Sequence, residues 1–187
     1  MANRNTQGFG LVPAGTLGST PATSGTGKYK IDAGYATTIF QGGAVSSSAG
    51  YIVEGQGTSD NPMVGVLNGI FYNAATTLKP TFSDHYVQVT PANSEDIDAF
   101  VFDNPQQQYV VATDAAVAQS GYLETYDMNA AAGSTTTGRS SSTLDIGDTS
   151  ADAAAFRLLR SAEDPENDEN ASFRSVVVCL NLIELQS

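Results

Sequence analysis

DIDAFVFDNPQQQYVVATD, residues 96–114, holds the information that sets the fold class. Two runs rich in Ile, Phe, Val and Tyr, DIDAFVFD (96–103) and QYVVAT (108–113), flank DNPQ at 103–106. Aromatic and β-branched side chains suit a pleated surface. Asp, Asn and Pro supply local side-chain bonds and a preset φ, which is turn chemistry. The stretch therefore reads as strand, turn, strand.

The same pattern extends in both directions. Further strands are predicted at TTIFQ (37–41), GYIVEG (50–55), MVGVLNGIFY (63–72), HYVQV (85–89), SSSTLDI (140–146), AFRLLRS (155–161) and SFRSVVVCLNLIEL (172–185). Between them lie GG (42–43), SDNP (59–62), TPANSE (90–95), AAAGSTTTG (130–138) and EDPENDEN (163–170), all turn and loop chemistry. Short strands at this spacing predict an all-β fold, a compact β-barrel or sandwich of short antiparallel strands. Only residues 114–132 have any helical character, and Gly121 weakens it, so the expectation there is one helical turn or a strand around Tyr122–Tyr126. The nearly all-apolar VVVCLNLI (176–183) predicts a strand covered on both faces. Phe100, Phe102, Val110, Val176, Val178 and Leu180 are the expected core.

Residues 1–30 read differently. GFGLVPAGTLGSTPATSGTG (8–27) has no helical or strand period, and only Phe9, Leu11, Val12 and Leu17 offer apolar surface. Such a segment cannot offset its own chain entropy. The expected division is an extended N-terminal arm over 1–30 and a β body over 31–187. Charge divides in the same way. Arg4, Lys28 and Lys30 give the arm +3 with no acid, and the remainder carries −15. A basic arm on an acidic body reads either as a solubilising tail or as a strap for an acidic neighbour, another copy of the chain included.

The totals narrow the function classes. The 187 residues suffice for one domain with a core. No run approaches the roughly 20 apolar residues of a membrane span, so no membrane partner is expected. The N-terminus lacks the apolar region of a secretory signal. Cys179 is the only cysteine, which rules out an intrachain disulfide and suits assembly in a reducing cytoplasm. A net charge of −12 repels phosphate backbones, so no nucleic-acid partner is expected.

The candidate chemistry is thin. ATSGTGKY (22–29) matches a relaxed phosphate loop at Ala22, Gly27 and Lys28, but Tyr29 replaces the Mg²⁺-binding hydroxyl, and neither a buried strand before it nor a helix after it is expected. His85 is the sole histidine, no GxSxG elbow accompanies it, and a structural or surface role is the expectation. Cys179, mid-strand among Val and Leu, reads as a buried inert thiol. Asp164, Glu166 and Asp168 form a solvated acidic turn that lacks the residue order of a dedicated Ca²⁺ loop. No catalytic residue, cofactor or metal site is assigned.

GYATTIFQGGAVSSSAGYIVEG (34–55) followed by NPMVGVLNGIFYNAATTLKPTFSDHY (61–86) resembles the capsid decoration, or cement, proteins of tailed bacteriophages, particularly those of marine phages. Agreement extends to DIDAFVFDNPQQQYVVATD (96–114), TTGRSSSTLD (136–145), AAAFRLLRSAEDPENDEN (153–170), the closing VVVCLNLIELQ (176–186) and the opening NTQGFGLVPAGTLGSTPATSGTGKYKI (5–31). Gly43-Ala44 stands where simpler cement proteins carry Asp-Pro in a turn. The resemblance implies a non-enzymatic virion protein without a cofactor. It would be made in the bacterial host cytoplasm and seated on the outer capsid surface. It would bind the major capsid protein, often as a homotrimer. Arg4, Phe9, Leu11, Val12, Leu17, Lys28 and Lys30 are the expected arm contacts to the shell. Another virion part, such as a tail or fibre protein, is the alternative. A carbohydrate-binding or carbohydrate-hydrolysing β domain is a third reading, which a buried carboxylate pair in a deep tyrosine-lined pocket would favour.

Overall fold

The computed structural model describes residues 5–18, 25–147, 154–168 and 170–181. The fold is all-β and sandwich-like. Its strands, in chain order, are β1 (Val12–Thr16), β2 (Gly27–Ile31), β3 (Ala44–Ser48), β4 (Tyr51–Glu54), β5 (Gly65–Asn73), β6 (Pro80–Ser83), β7 (Ile97–Phe102), β8 (Gln107–Ala112), β9 (Thr125–Tyr126), β10 (Met128–Asn129), β11 (Thr143–Leu144), β12 (Phe156–Ser161) and β13 (Ser175–Leu180). The first sheet runs β1-β8-β13-β12-β9. The second runs β2-β7-β5-β3-β4, with β6 also pairing β5. All strand pairs are antiparallel, and β10 and β11 form a separate ribbon. The second sheet curls until its end strands β2 and β4 approach one another.

Strict alternation on β7 shows how the layers are built. Ile97, Ala99 and Val101 are fully buried on the concave face of the second sheet, while Asp98, Phe100 and Phe102 take the convex face. The concave core gathers Ile31, Val45, Ile52, Leu67 and Ile70. It is closed by a plug in which Ile39 and Tyr86 exchange backbone hydrogen bonds at 2.8 and 2.9 Å. On the convex face, Val66, Ala44 and half-buried Phe102 meet Tyr109, Val111, Phe156 and Val178 of the first sheet in a second core. β13 is buried from Ser175 to Cys179, as expected for the first part of the apolar run 176–183; Leu180 is half-buried, and residues 182–183 lie outside the described residues.

Several expectations move. TTIFQ and HYVQV do not form strands: Ile39 and Tyr86 bridge each other in the plug, and Gln41 bridges Arg139. Val110 is half-buried, paired with Val12 on the opposite face of β8 from the core, while Tyr109 and Val111 point into the core. Phe100 is half-buried on the convex face. Phe102 and Leu180 are partly buried against the core, and Val176 and Val178 are wholly inside. The 114–132 stretch has a 3-10 turn at Gln119–Gly121 and strand β9 at Thr125–Tyr126.

The arm expectation changes most. Residues 12–16 are the edge strand of the first sheet, and residues 27–31 are the end strand of the second, so a division at residue 30 falls inside β2. Leu11 is 1% exposed and belongs to the inter-sheet core. Its N–H donates to the Gly42 carbonyl at 2.8 Å, and the Gly10 N–H donates to the Ser142 carbonyl at 3.1 Å. Gly10 takes φ +73°, and a Cβ there would lie 2.7 Å from the Gly42 oxygen, so this crossing requires glycine. The segment cannot fold alone. It is ordered by backbone partners that lie far along the chain.

On β2, Tyr29 faces the concave side and its hydroxyl donates to Asp103 Oδ2 at 2.8 Å. Burial, with the hydrogen bond to Asp103 second, pushes the phenol up to about 12. Because the folded value lies above the unfolded one, this group's stabilising share is complete below pH of about 10 and is lost as pH rises through the folded value. The stability difference between wild type and Tyr29→Phe therefore shrinks as pH climbs from about 10 to about 12, read by denaturant unfolding at each pH; a difference constant across that range contradicts the assignment. Leu11→Ala costs about 2–5 kcal/mol, as for other core leucines, while exposed Val12→Ala changes stability by under ~0.5 kcal/mol. Equal midpoints for the two variants would show that the N-terminal segment is not part of the core.

Candidate interaction surface

The N-terminal segment lies at an edge of the first sheet. β1 pairs only with β8, and no described strand pairs with its other side. A register shift between Pro13 and Gly15 bends the strand, and Pro13 has no N–H to give. Val12 projects outward and is 40% exposed. Beside it lies a cleft of about 160 Å³ between the two sheets. Phe9, Leu11, Leu67 and Phe102 supply its apolar wall, and Gln41 and Arg139 its polar rim. Gln41 is held there by donating to the Asn68 carbonyl at 3.1 Å.

Of the expected contact residues, the structure brings four to this region. Phe9 is half-buried in the cleft wall, Leu11 forms its floor from the core, and Val12 stands at the rim. Leu17 is half-buried at the end of β1, where its N–H donates to the Gln106 carbonyl at 2.9 Å. Arg4 lies outside the described residues. Lys28 and Lys30 lie elsewhere, on the second sheet.

Both lysines close on one carboxylate. Residues 28 and 30 share the convex face of β2, opposite Phe100 and Asp98 of β7. Lys28 Nζ is 2.7 Å from Asp98 Oδ2, and Lys30 Nζ is 2.6 Å from Oδ1. Burial alone would push the Asp98 carboxyl up, but the two ammonium groups outweigh it and hold it below its usual range. The Asp98 hydrogen bond in turn raises Lys30. These lysines, read from sequence as contacts for an acidic partner, thus have an acid of their own.

The same convex face carries features the sequence reading did not single out. Phe71 of β5 lies opposite Asp98 on one side and opposite Phe82 of β6 on the other. Phe100 lies opposite Gly69. The Phe82 ring leans over Gly69 and meets Phe100 with centroids 5.8 Å apart. Phe82 is 64% exposed. Only the burial asymmetry of β7 and β6 within the folded sheet reveals this; PTFS at 80–83 is not among the strands expected from the sequence.

The remaining candidates have local roles. His85 Nδ1 contacts Asp84 Oδ1 at 2.6 Å, and the ring stacks on Phe40 at 6.2 Å. Cys179 is buried, which pushes its thiol up and away from reactivity. In the acidic run, Asp164 and Asp168 accept from the backbone N–H groups of Glu166 and Asn170, and Asn167 ties the loop to Ser175 in both directions. Among the described residues, no three His, Cys, Asp or Glu side chains converge as metal ligands. Gly27 and Lys28 of the phosphate-loop look-alike open a strand, and Ala22 lies outside the described residues. Glu54, raised by burial, lines a cleft of about 250 Å³ with Phe40, Met128, Ser140 and Ser142, and no second carboxylate lines it. No protein-family model, curated protein or solved structure matches this chain.

Proposed function

We propose that this chain is a capsid decoration protein of a tailed bacteriophage, seated on the outside of the major capsid protein shell and reinforcing it. Two things support the reading. One is the resemblance over residues 5–186, which implies shell binding, homotrimers and a place on the virion surface. The observation that carries it is the open edge of β1, with exposed Val12 at the rim of an apolar cleft. An edge strand offers backbone groups to an extended segment of a neighbour, and a cleft beside it gives that segment a side-chain pocket. Leu11 and the backbone bonds around it hold this edge rigid, so docking there costs little ordering entropy.

Reinforcement follows from mass action. A protein that binds only the closed shell stabilises it by about 2.7 kcal/mol per site at a hundredfold excess over Kd. Repeated over many sites, weak contacts suffice. The acidic remainder of the chain faces solvent in this arrangement, away from packaged DNA.

Particles stripped of the protein should release DNA at a lower temperature than complete ones, and full-length protein added back should restore the difference. Val12→Asp places a charge at the rim without touching the core. It should fold normally and bind stripped particles at least about tenfold more weakly, a loss of about 1.4 kcal/mol or more. Equal release temperatures for stripped and restored particles would sink the reinforcing role. Unchanged binding by Val12→Asp would move the contact away from β1.

A further inference from the structure

The convex face of the second sheet is covered over only part of its area. Near the first sheet, Ala44, Val66 and Phe102 are packed into the inter-sheet core. Farther along the same face the cover ends, yet the aromatic residues continue. Strand registers lay the bare part out as a grid. One row across the sheet is Lys28, Phe100 and Gly69; the next is Lys30, Asp98, Phe71 and Phe82. Phe71 and Phe100 are half-buried, and Phe82 is 64% exposed. A side chain at position 69 would meet the Ser83 carbonyl at 2.9 Å and the Phe82 ring at 3.1 Å, so glycine is what lets that ring lie across the sheet. At the edge of the grid opens a cleft of about 270 Å³, lined by Phe71, Lys30, Asp98, Asn73, Glu95 and Asp96.

We propose that this bare face, with Phe71, Phe82 and Phe100 as stacking rings and Lys30, Asp98 and Asn73 as hydrogen-bonding groups, is a binding platform for a neutral saccharide. A pyranose has an apolar C–H face and a rim of hydroxyls. It needs a ring to stack on, and fixed donors and acceptors beside that ring. Aromatic rings on a sheet are stiff and amphipathic, so they give contact area at low entropy cost. The Lys28–Asp98–Lys30 cluster is already ordered by its ion pairs at 2.6 and 2.7 Å, and each ammonium has further protons to donate. The cleft at the end of the grid has room for one sugar ring.

Charge selects the ligand class. Lys28 and Lys30 are matched by Asp98, and Glu95 and Asp96 lie close enough to add to the field on Lys30, so the face has no surplus positive charge for an anion. A second copy of this chain, at net −12, would bring acid to a face that already borders Glu95 and Asp96. A neutral ligand pays neither cost. The inference does not depend on shell binding, since it uses different residues from the β1 edge.

The test is affinity electrophoresis of the full chain through gels holding hydroxyethyl cellulose, galactomannan, dextran or glucomannan, with aromatic NMR of Phe-labelled protein as the local readout. The chain has no tryptophan, so phenylalanine resonances report the stacking directly. Retardation in at least one gel is expected, with that polymer shifting the Phe71, Phe82 and Phe100 resonances. Phe82→Ala, at an exposed site, should keep the fold and weaken retardation by about tenfold. Leu78→Ala, exposed in the neighbouring loop, should leave it unchanged. No retardation in any of the four gels overturns the proposal. So does retardation that Phe82→Ala leaves intact. Loss of shell binding in Phe82→Ala without any saccharide response would assign the face to a protein partner and equally overturn it.

Discussion

The β5–β7 pair carries a core on each of its faces, and the rest of the structure depends on that pairing. Leu67 and Val101 point to the concave core, while Val66 and Phe102 point to the inter-sheet core. A slip of one residue would send each set of side chains to the opposite core and mismatch both at once. The irregularity between Leu67 and Gly69 absorbs an extra residue and restores the alternation beyond it, so that Ile70 still opposes Ala99 on the concave side. That bulge also places Gly69 beneath the Phe82 ring, and its Asn68 carbonyl takes the Gln41 hydrogen bond beside the β1 cleft. One local device thus fixes the register, the aromatic face and one wall of the cleft.

The sequence displayed the strands that carry their own pattern. β7, β8 and β13 are legible because their apolar residues alternate or run unbroken, and a turn such as DNPQ separates them. β1 is not legible, because its order comes from outside itself. Its partners lie in β8, and the crossing that precedes it depends on Gly42 and Ser142. Phe9, Leu11, Val12 and Leu17 recur at no fixed spacing and so give no period, yet in the fold Leu11 is core. β2 did carry a signal: in GKYKI (27–31) the lysines alternate with Tyr29 and Ile31, and Ile31 is wholly buried. Composition pointed to an arm where alternation pointed to a strand, and alternation is the statement about packing.

The interaction surfaces were legible to different degrees for the same reason. Phe9, Leu11 and Val12 stand out as the few apolar residues of a polar segment, and the fold places all three at one cleft. Phe100 reads as core, since a phenylalanine in an alternating strand usually is; here its face of the sheet runs past the edge of the covering layer. No sequence pattern encodes how far one sheet overlaps another. Lys28 and Lys30 were legible as charges but not as a pair with Asp98, because the cross-strand register that joins them spans about seventy residues.

Stiffness links these surfaces to use. The β1 edge and the aromatic face both sit on laddered strands joined through Phe102, two positions from Phe100 on the same face of β7. Neither surface has to be assembled on contact, so a ligand on one has no loop to reorder at the other. A rigid two-sided body of this kind suits attachment in many copies: one side is held, and the other stays presented at fixed geometry. If the chain decorates a particle as proposed, individual contacts can be weak, because many copies supply the effective concentration that a single chain lacks.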